Sequence, residues 1–364
     1  MKNPKKILII IQRSNGDVFL SSNLITTIFE HYDSPKIDLL VNNDTISIAK
    51  LLPHIDIIHQ FSYDKKNKKR WTQESELLKK IFRRYDLSIN LTASDRSVLY
   101  ALFSSRRSIS AIEKNIRKSW WKKIFLSSYY YYDIERHILL NNSEPLNLLN
   151  IKHLNLQRQI IVSDKVMSGI KHKLRNLGIN EFIIFHPSAQ YNYKIYPRRQ
   201  RDKLLQSLSK LGVPVLITGS NNKIDSEIKE EIPNEPNIFN FIGDTSLEEY
   251  FALSQLSSAY IGMDTLNMHI AASQNKRIFA VFGSTNLKMW SPWSNVLKKA
   301  TKQNKYKQTY GNITLFQSSI PCPSCGMVGC GSSHKKDSFP FNIEPLEIFD
   351  EVYKWYELNS NFKF

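Results

Sequence analysis

The chain has 364 residues, with 50 Lys and Arg against 33 Asp and Glu, a formal charge of +17. A hydrophobic fraction of 41%, with only 12 Gly and 14 Pro, excludes a disordered or collagen-like chain and allows a sizeable core in about two domains. The basic balance calls for an anionic partner, which charge alone leaves open between nucleic acid, a membrane surface and a phosphorylated substrate.

The first element is the β-branched run Lys6 to Ile11, which reads as a strand buried on both faces of a parallel sheet. It is far short of the roughly 18 residues of a membrane span. Gln12, Arg13, Asn15 and Asp17 also interrupt it too early for a signal-peptide core, so a cytoplasmic protein is expected. A polar turn from Gln12 to Asp17 leads into a helix predicted from Val18 to His31, then a strand over Ile37 to Val41. This is a β–turn–α–β unit of parallel-crossover length. Strands follow at Ile55 to Phe61 and Leu87 to Leu91, with helices over Glu74 to Arg84 and Ser97 to Phe103.

The segment Arg117 to Arg136, RKSWWKKIFLSSYYYYDIER, is dense in aromatic and basic residues. It reads either as a core-packed helix with solvated cations or as a surface for anionic-ligand capture and membrane contact. In the second reading Arg117, Lys118, Lys122 and Lys123 attract anionic headgroups, and Trp120, Trp121 and Tyr129 to Tyr132 suit an interface. The basic residues are dispersed from Lys65 to Lys336 and form no recognised nucleic-acid motif, so no nucleic-acid partner is expected.

A helix over Asp164 to Leu177 opens a second alternating block. Strands are predicted at Phe182 to Phe185, Val213 to Thr218, Ile238 to Phe241, Ala259 to Gly262 and Arg277 to Phe282. Helices are predicted at Arg199 to Lys210, Leu247 to Leu256 and Met268 to Ser273. The expected fold class is α/β, with two Rossmann-like doubly wound domains facing a central cleft. Domain one spans 1–163 and domain two 164–343. A final helix from Glu344 to Tyr356, within a C-terminal piece 344–364, is expected to pack back on domain one.

In such sheets ligands bind beyond the carboxyl ends of the strands. The first such loop ends in Gly16-Asp17, where Asp17 is either a helix cap or a general base. The loop from Ser188 to Pro197 carries Lys194, which in isolation reads as a solvated surface charge. The loop Gly262 to His269 holds Asp264 and Thr265, where helix-start amides suit an anion and a plain cap is the alternative. His269 also reads as a buried structural histidine. Gly219 ends one strand, and Phe282-Gly283-Ser284-Thr285 after another is a small-residue turn that lets a phosphate or sugar approach closely. Cys322, Cys325, Cys330 and His334 have a spacing compatible with tetrahedral zinc, although an ordinary reduced loop is preferred and no metal is expected.

In order, the chain supplies Gly16-Asp17, His186-Pro187-Ser188, Lys194-Ile195-Tyr196-Pro197, Gly243-Asp244-Thr245, Asp264-Thr265 with His269, Phe282-Gly283-Ser284-Thr285 and Trp290-Ser291-Pro292. From Lys6 to about Tyr356 this resembles family 9 glycosyltransferases, the bacterial heptosyltransferases of lipopolysaccharide core assembly. The resemblance implies the GT-B fold, with an ADP-heptose donor on the second domain. It implies an anionic Kdo–lipid A type acceptor on the first, reached by peripheral contact with the inner membrane. It further implies one-step inverting transfer with no cofactor. Asp17 would be the base and Lys194 would neutralise the leaving diphosphate. Ser188, Asp264 and the Thr265, Leu266, Asn267 and Met268 amides would hold the donor beside His269, Gly219 and Gly283. Arg13 and Asn15, with the four cations of the aromatic–basic segment, would hold the acceptor.

The chain departs from the family at Leu266 and Asn267, where Gly and often Pro are usual. That departure favours, as an alternative, another nucleotide-sugar in capsule, O-antigen or other surface-glycan assembly. A non-catalytic binding protein of the same fold would bind donor without turnover.

Overall fold

The computed structural model describes residues 3–63, 70–153, 157–283, 285–318 and 343–360. It divides into two compact units, 1–160 and 161–364, the division falling three residues before the expected boundary.

The first unit is built on six parallel strands: β1 (Lys6–Ile11), β2 (Lys36–Asn42), β3 (Ile57–Phe61), β4 (Leu87–Asn90), β5 (Ser108–Ile112) and β6 (Ser128–Tyr131), in the order β3-β2-β1-β4-β5-β6. β1 is central and Ile7 to Ile11 are buried, as its uninterrupted branched aliphatic sequence requires between two helical layers. The order reverses between β1 and β4, so the carboxyl end of β1 lies at the topological switch point where ligands bind in this architecture.

The second unit has seven strands: β7 (Ile183–His186), β8 (Val215–Gly219), β9 (Ile238–Ile242), β10 (Ala259–Met263), β11 (Arg277–Phe282), β12 (Lys307–Tyr310) and β13 (Ile313–Gln317). Their order is β12-β13-β11-β10-β7-β8-β9, parallel except for the β12–β13 pair at one edge. The reversal here falls between β7 and β10. Gly262 of β10 is forced by that pairing, since a Cβ there would come within 2.5 Å of the His186 carbonyl oxygen on β7.

The C-terminal helix, Pro345–Ser360, expected to pack back on the first unit, is built into the core of the second. Ile348 and Val352 join the core of the second unit with Leu204, Leu205 and Leu208 of the helix Arg198–Leu208. The Tyr196 hydroxyl donates to the Ile343 carbonyl at 3.0 Å just before that helix, and Trp355 sits edge-on to Phe279. Its apolar stripe finds a complementary face within its own unit, which the sequence pattern alone did not specify.

Candidate active site

Beyond β1 the chain makes a short helix, Asn15–Phe19, breaks, and resumes as Ser22–His31. The predicted continuous helix is interrupted where the Ser21 hydroxyl donates to the Val18 carbonyl at 2.7 Å. The capping position belongs to Ser14, so Asp17 is the third helical residue and not a cap. Asp17 is only 3% exposed. Its Oδ1 lies 2.6 Å from Arg13 Nε, and its Oδ2 accepts from the Ser14 hydroxyl at 2.6 Å. The Arg13 guanidinium lies over the Tyr132 ring, 4.7 Å from its centroid, while Asn42 donates to the Arg13 carbonyl at 3.3 Å. Burial disfavours the Arg13 charge, yet Asp17 and Tyr132 more than offset this and hold the guanidinium above its ordinary range. Burial likewise pushes the Tyr132 phenol up to about 12, so it is neutral at physiological pH. Asn15 is exposed at the rim of the same loop.

In the second unit, the loops after β7 and β10 bring Lys194 and Asp264 together, with Nζ 3.2 Å from Oδ2. Thr265 stands at the start of the helix Leu266–Ser273 in extended conformation but does not cap it. Its hydroxyl instead lies 3.5 Å from that of Tyr260. Amides at that helix start are therefore not engaged by the Thr265 side chain and point their positive dipole end toward the loop. Leu266 and Asn267 are half-buried. The Met268 and His269 side chains are buried in the unit's core, so Met268 can offer a ligand only its backbone. Ser188 is buried directly after β7.

Asn267, one of the two departures from the family pattern, has a structural task. Its Nδ2 lies 3.0 Å from His186 Nδ1, which is also 3.1 Å from the Thr218 hydroxyl. This tie between β7, β8 and the helix start was not foreseen; a polar residue at the second helical position was its one signal. Burial pushes the His186 imidazole down to about 4, against the opposing pull of Asp225, so the ring is neutral. The unfolded chain takes up that proton near about pH 6.5. Stability is therefore full above that value and falls as pH drops toward about 4. Urea unfolding is expected to show a lower midpoint at acid pH, with a smaller drop in His186→Gln; equal drops in both proteins would contradict this.

The other residues separate. Gly219 packs against Asp225 and Ile242, each about 3.1 Å from where a Cβ would sit, so close helix–strand packing explains its smallness. Gly283 follows β11 and is half-buried. In the aromatic–basic segment the structure forms a helix, Ile116–Phe125, followed by β6. Arg117 and Lys118 are exposed and Lys123 is half-buried. Lys122 is a correction. Its side chain is fully buried, with Nζ 2.7 Å from Asp95 Oδ1 and 2.6 Å from Glu113 Oε2, and so it cannot meet an acceptor. Lys122→Met is expected to cost about 1–3 kcal/mol in urea unfolding, with unchanged acceptor affinity.

Cys322, Cys325, Cys330 and His334 lie outside the described residues, as does Ser284. Among the described residues, no cluster of three His, Cys, Asp or Glu has metal-site geometry. No helix among them is long and apolar enough to cross a membrane.

Comparison with known proteins adds four findings. Residues 75–316 match the family model for glycosyltransferase family 9 (heptosyltransferase). The chain is 26% identical over 295 residues to lipopolysaccharide heptosyltransferase 3 of Escherichia coli, covering 78% of this chain and 85% of that protein. Its fold is similar to that of Escherichia coli ADP-heptose lps heptosyltransferase II, with a TM-score of 0.67 at 18% identity over 98% of this chain and 99% of the other. An Escherichia coli heptosyltransferase solved with ADP gives a TM-score of 0.68 at 13% identity, covering 97% and 99%. These structural likenesses establish two Rossmann-like units of the GT-B class.

Proposed function

The chain belongs to glycosyltransferase family 9, and from that premise we propose that it is an inverting enzyme moving heptose from ADP-heptose to an anionic lipopolysaccharide inner-core acceptor. The observation that carries the reading is that each unit presents its reactive groups at its own switch point, Asp17 beyond β1 and the Lys194–Asp264 pair beyond β7 and β10. Asp17 takes the proton of the acceptor hydroxyl as that oxygen attacks the anomeric carbon. The bond from this carbon to the diphosphate oxygen breaks in the same step, and ADP departs with the electron pair. Lys194 and the amides from Thr265 to Met268 receive the charge that develops on the diphosphate. Asp264 orients Lys194 before the donor arrives and contacts the sugar once the lysine turns to the diphosphate.

A panel of nucleotide-sugars in a thermal-shift assay tests the donor. ADP-heptose is expected to raise the melting temperature most. A larger rise with a UDP- or GDP-sugar would assign the chain to another surface glycan, the reading that Leu266 favours.

We also infer peripheral contact with the cytoplasmic face of the inner membrane through the helix Ile116–Phe125. Trp120 and Ile124, one turn apart, are 58% and 66% exposed, and Phe125 at the helix end is 66% exposed. Arg117, Lys118 and Lys123 flank them, and among the described residues none of the three forms an ion pair, whereas Lys122 is neutralised inside. An apolar patch ringed by uncompensated cations matches an anionic bilayer, at about 1 kcal/mol for each cation. The protein is expected to co-sediment with phosphatidylglycerol-containing vesicles, much less with phosphatidylcholine alone, and Trp120→Ser/Ile124→Ser/Phe125→Ser is expected to abolish this. Equal binding to both vesicles, or an unaffected triple variant, would contradict it.

A further inference from the structure

Arg13 was expected to meet the acceptor, yet its guanidinium is turned inward. Nε sits 2.6 Å from Asp17 Oδ1, and the planar head rests on the Tyr132 ring. We propose that Arg13 is a positioning residue for the base, and that Tyr132 is the platform that keeps it in place.

A short helix alone fixes a carboxylate poorly, because an aspartate side chain retains two free torsions. Here Oδ2 accepts from the Ser14 hydroxyl, and Oδ1, which makes no hydrogen bond, is held by the Arg13 charge at 2.6 Å. A carboxylate has about four lone-pair sites, so these two contacts set its direction while leaving capacity for the incoming proton. Arginine is suited to this because its fork is rigid and its planar face stacks on an aromatic ring. Tyr132 is itself fixed. It follows β6 directly, its amide donates to the Ile112 carbonyl at 2.9 Å, and its half-buried ring is neutral. Asn42, at the end of β2, fixes the Arg13 backbone. Residues at or just beyond the carboxyl ends of β1, β2 and β6 thus gather around one carboxylate.

The inference rests on Asp17 being the base, and steady-state kinetics with separate variants keep the two claims apart. Arg13→Ala is expected to lower kcat about tenfold to a hundredfold, the range for a slightly misplaced reacting group, with acceptor KM within about twofold. Millimolar guanidinium is expected to restore part of that kcat, and to restore none in Asp17→Asn. Tyr132→Ala is expected to reproduce the Arg13→Ala loss in weaker form, and Tyr132→Phe, which keeps the ring face, to lose less. Arg13→Lys keeps the charge and loses the planar head, so should Arg13→Ala fail to fold it remains available for the same kcat-against-KM split.

A raised acceptor KM with unchanged kcat, in either Arg13 variant, would make Arg13 an acceptor anchor and overturn the proposal. So would an equal loss in Tyr132→Phe and Tyr132→Ala with no rescue by guanidinium. A fully active Asp17→Asn would instead defeat the reading of Asp17 as base, and a kcat loss in Arg13→Ala beside it would then count against positioning as well.

Discussion

Asp17→Asn is expected to lower kcat by about 10²–10⁴, the usual worth of a general base, while donor affinity changes little. The substitution keeps the side chain's shape, and the carboxamide oxygen can still accept from Arg13 or Ser14, so the local structure should survive. What disappears is the capacity to take up the acceptor proton. The loss should fall on kcat, because the proton moves only in the transition state. Initial rates of ADP release at saturating donor and acceptor measure it, and a thermal-shift titration with ADP-heptose provides the binding control. An unchanged kcat would remove Asp17 from the chemistry, however well its surroundings are ordered.

Lys194→Ala is expected to cost about 10²–10³ in kcat/KM, the scale for losing one strong electrostatic contact to a developing anion. Two effects add. The leaving diphosphate loses a cation, and Asp264, which the lysine faces at 3.2 Å, is left as an uncompensated negative charge beside the donor site. Lys194→Arg should retain more activity than the alanine variant. Lys194→Ala/Asp264→Asn should recover donor affinity relative to Lys194→Ala alone, because it removes the repulsion, but should not recover kcat. If the alanine variant turns over normally, Lys194 is only a surface partner of Asp264.

Much of the frame was legible in the sequence because the central strands bury both faces. KILIII in β1 and RIFAVF in β11 announce themselves by uninterrupted aliphatic and aromatic residues, and their carboxyl ends then locate the loops. Edge elements were harder. β5, SISAI, carries two buried serines, and β6, SYYY, lies inside an aromatic–basic run in which no strand was foreseen. The antiparallel β12–β13 pair and the helix Ile138–Leu148, which contains Pro145, also lack a clean period.

At the candidate site, residue type and loop position placed Asp17, Lys194 and Asp264 beyond the carboxyl ends of strands, but did not give the direction in which a cation points. In sequence Lys122 and Arg13 were both expected to hold the acceptor. One is sealed between Asp95 and Glu113, and the other is folded onto Asp17 and Tyr132. Those partners lie 27, 9, 4 and 119 residues away in sequence (122 − 95, 122 − 113, 17 − 13, 132 − 13), and most of that pairing is decided by tertiary packing. Asn267 is similar. As a departure from the family pattern it looks like altered donor recognition, and in the fold it holds the His186 ring.

The most direct measurement is a single-turnover reaction of the purified chain with ADP-heptose and a heptose-deficient core acceptor, following ADP and glycosylated product together. One ADP should appear for each heptose transferred, the new linkage should have the opposite anomeric configuration to the donor, and Asp17→Asn should form both about 10²–10⁴ times more slowly. A product that keeps the donor's configuration, or no product with any sugar nucleotide, would contradict direct displacement assisted by that carboxylate.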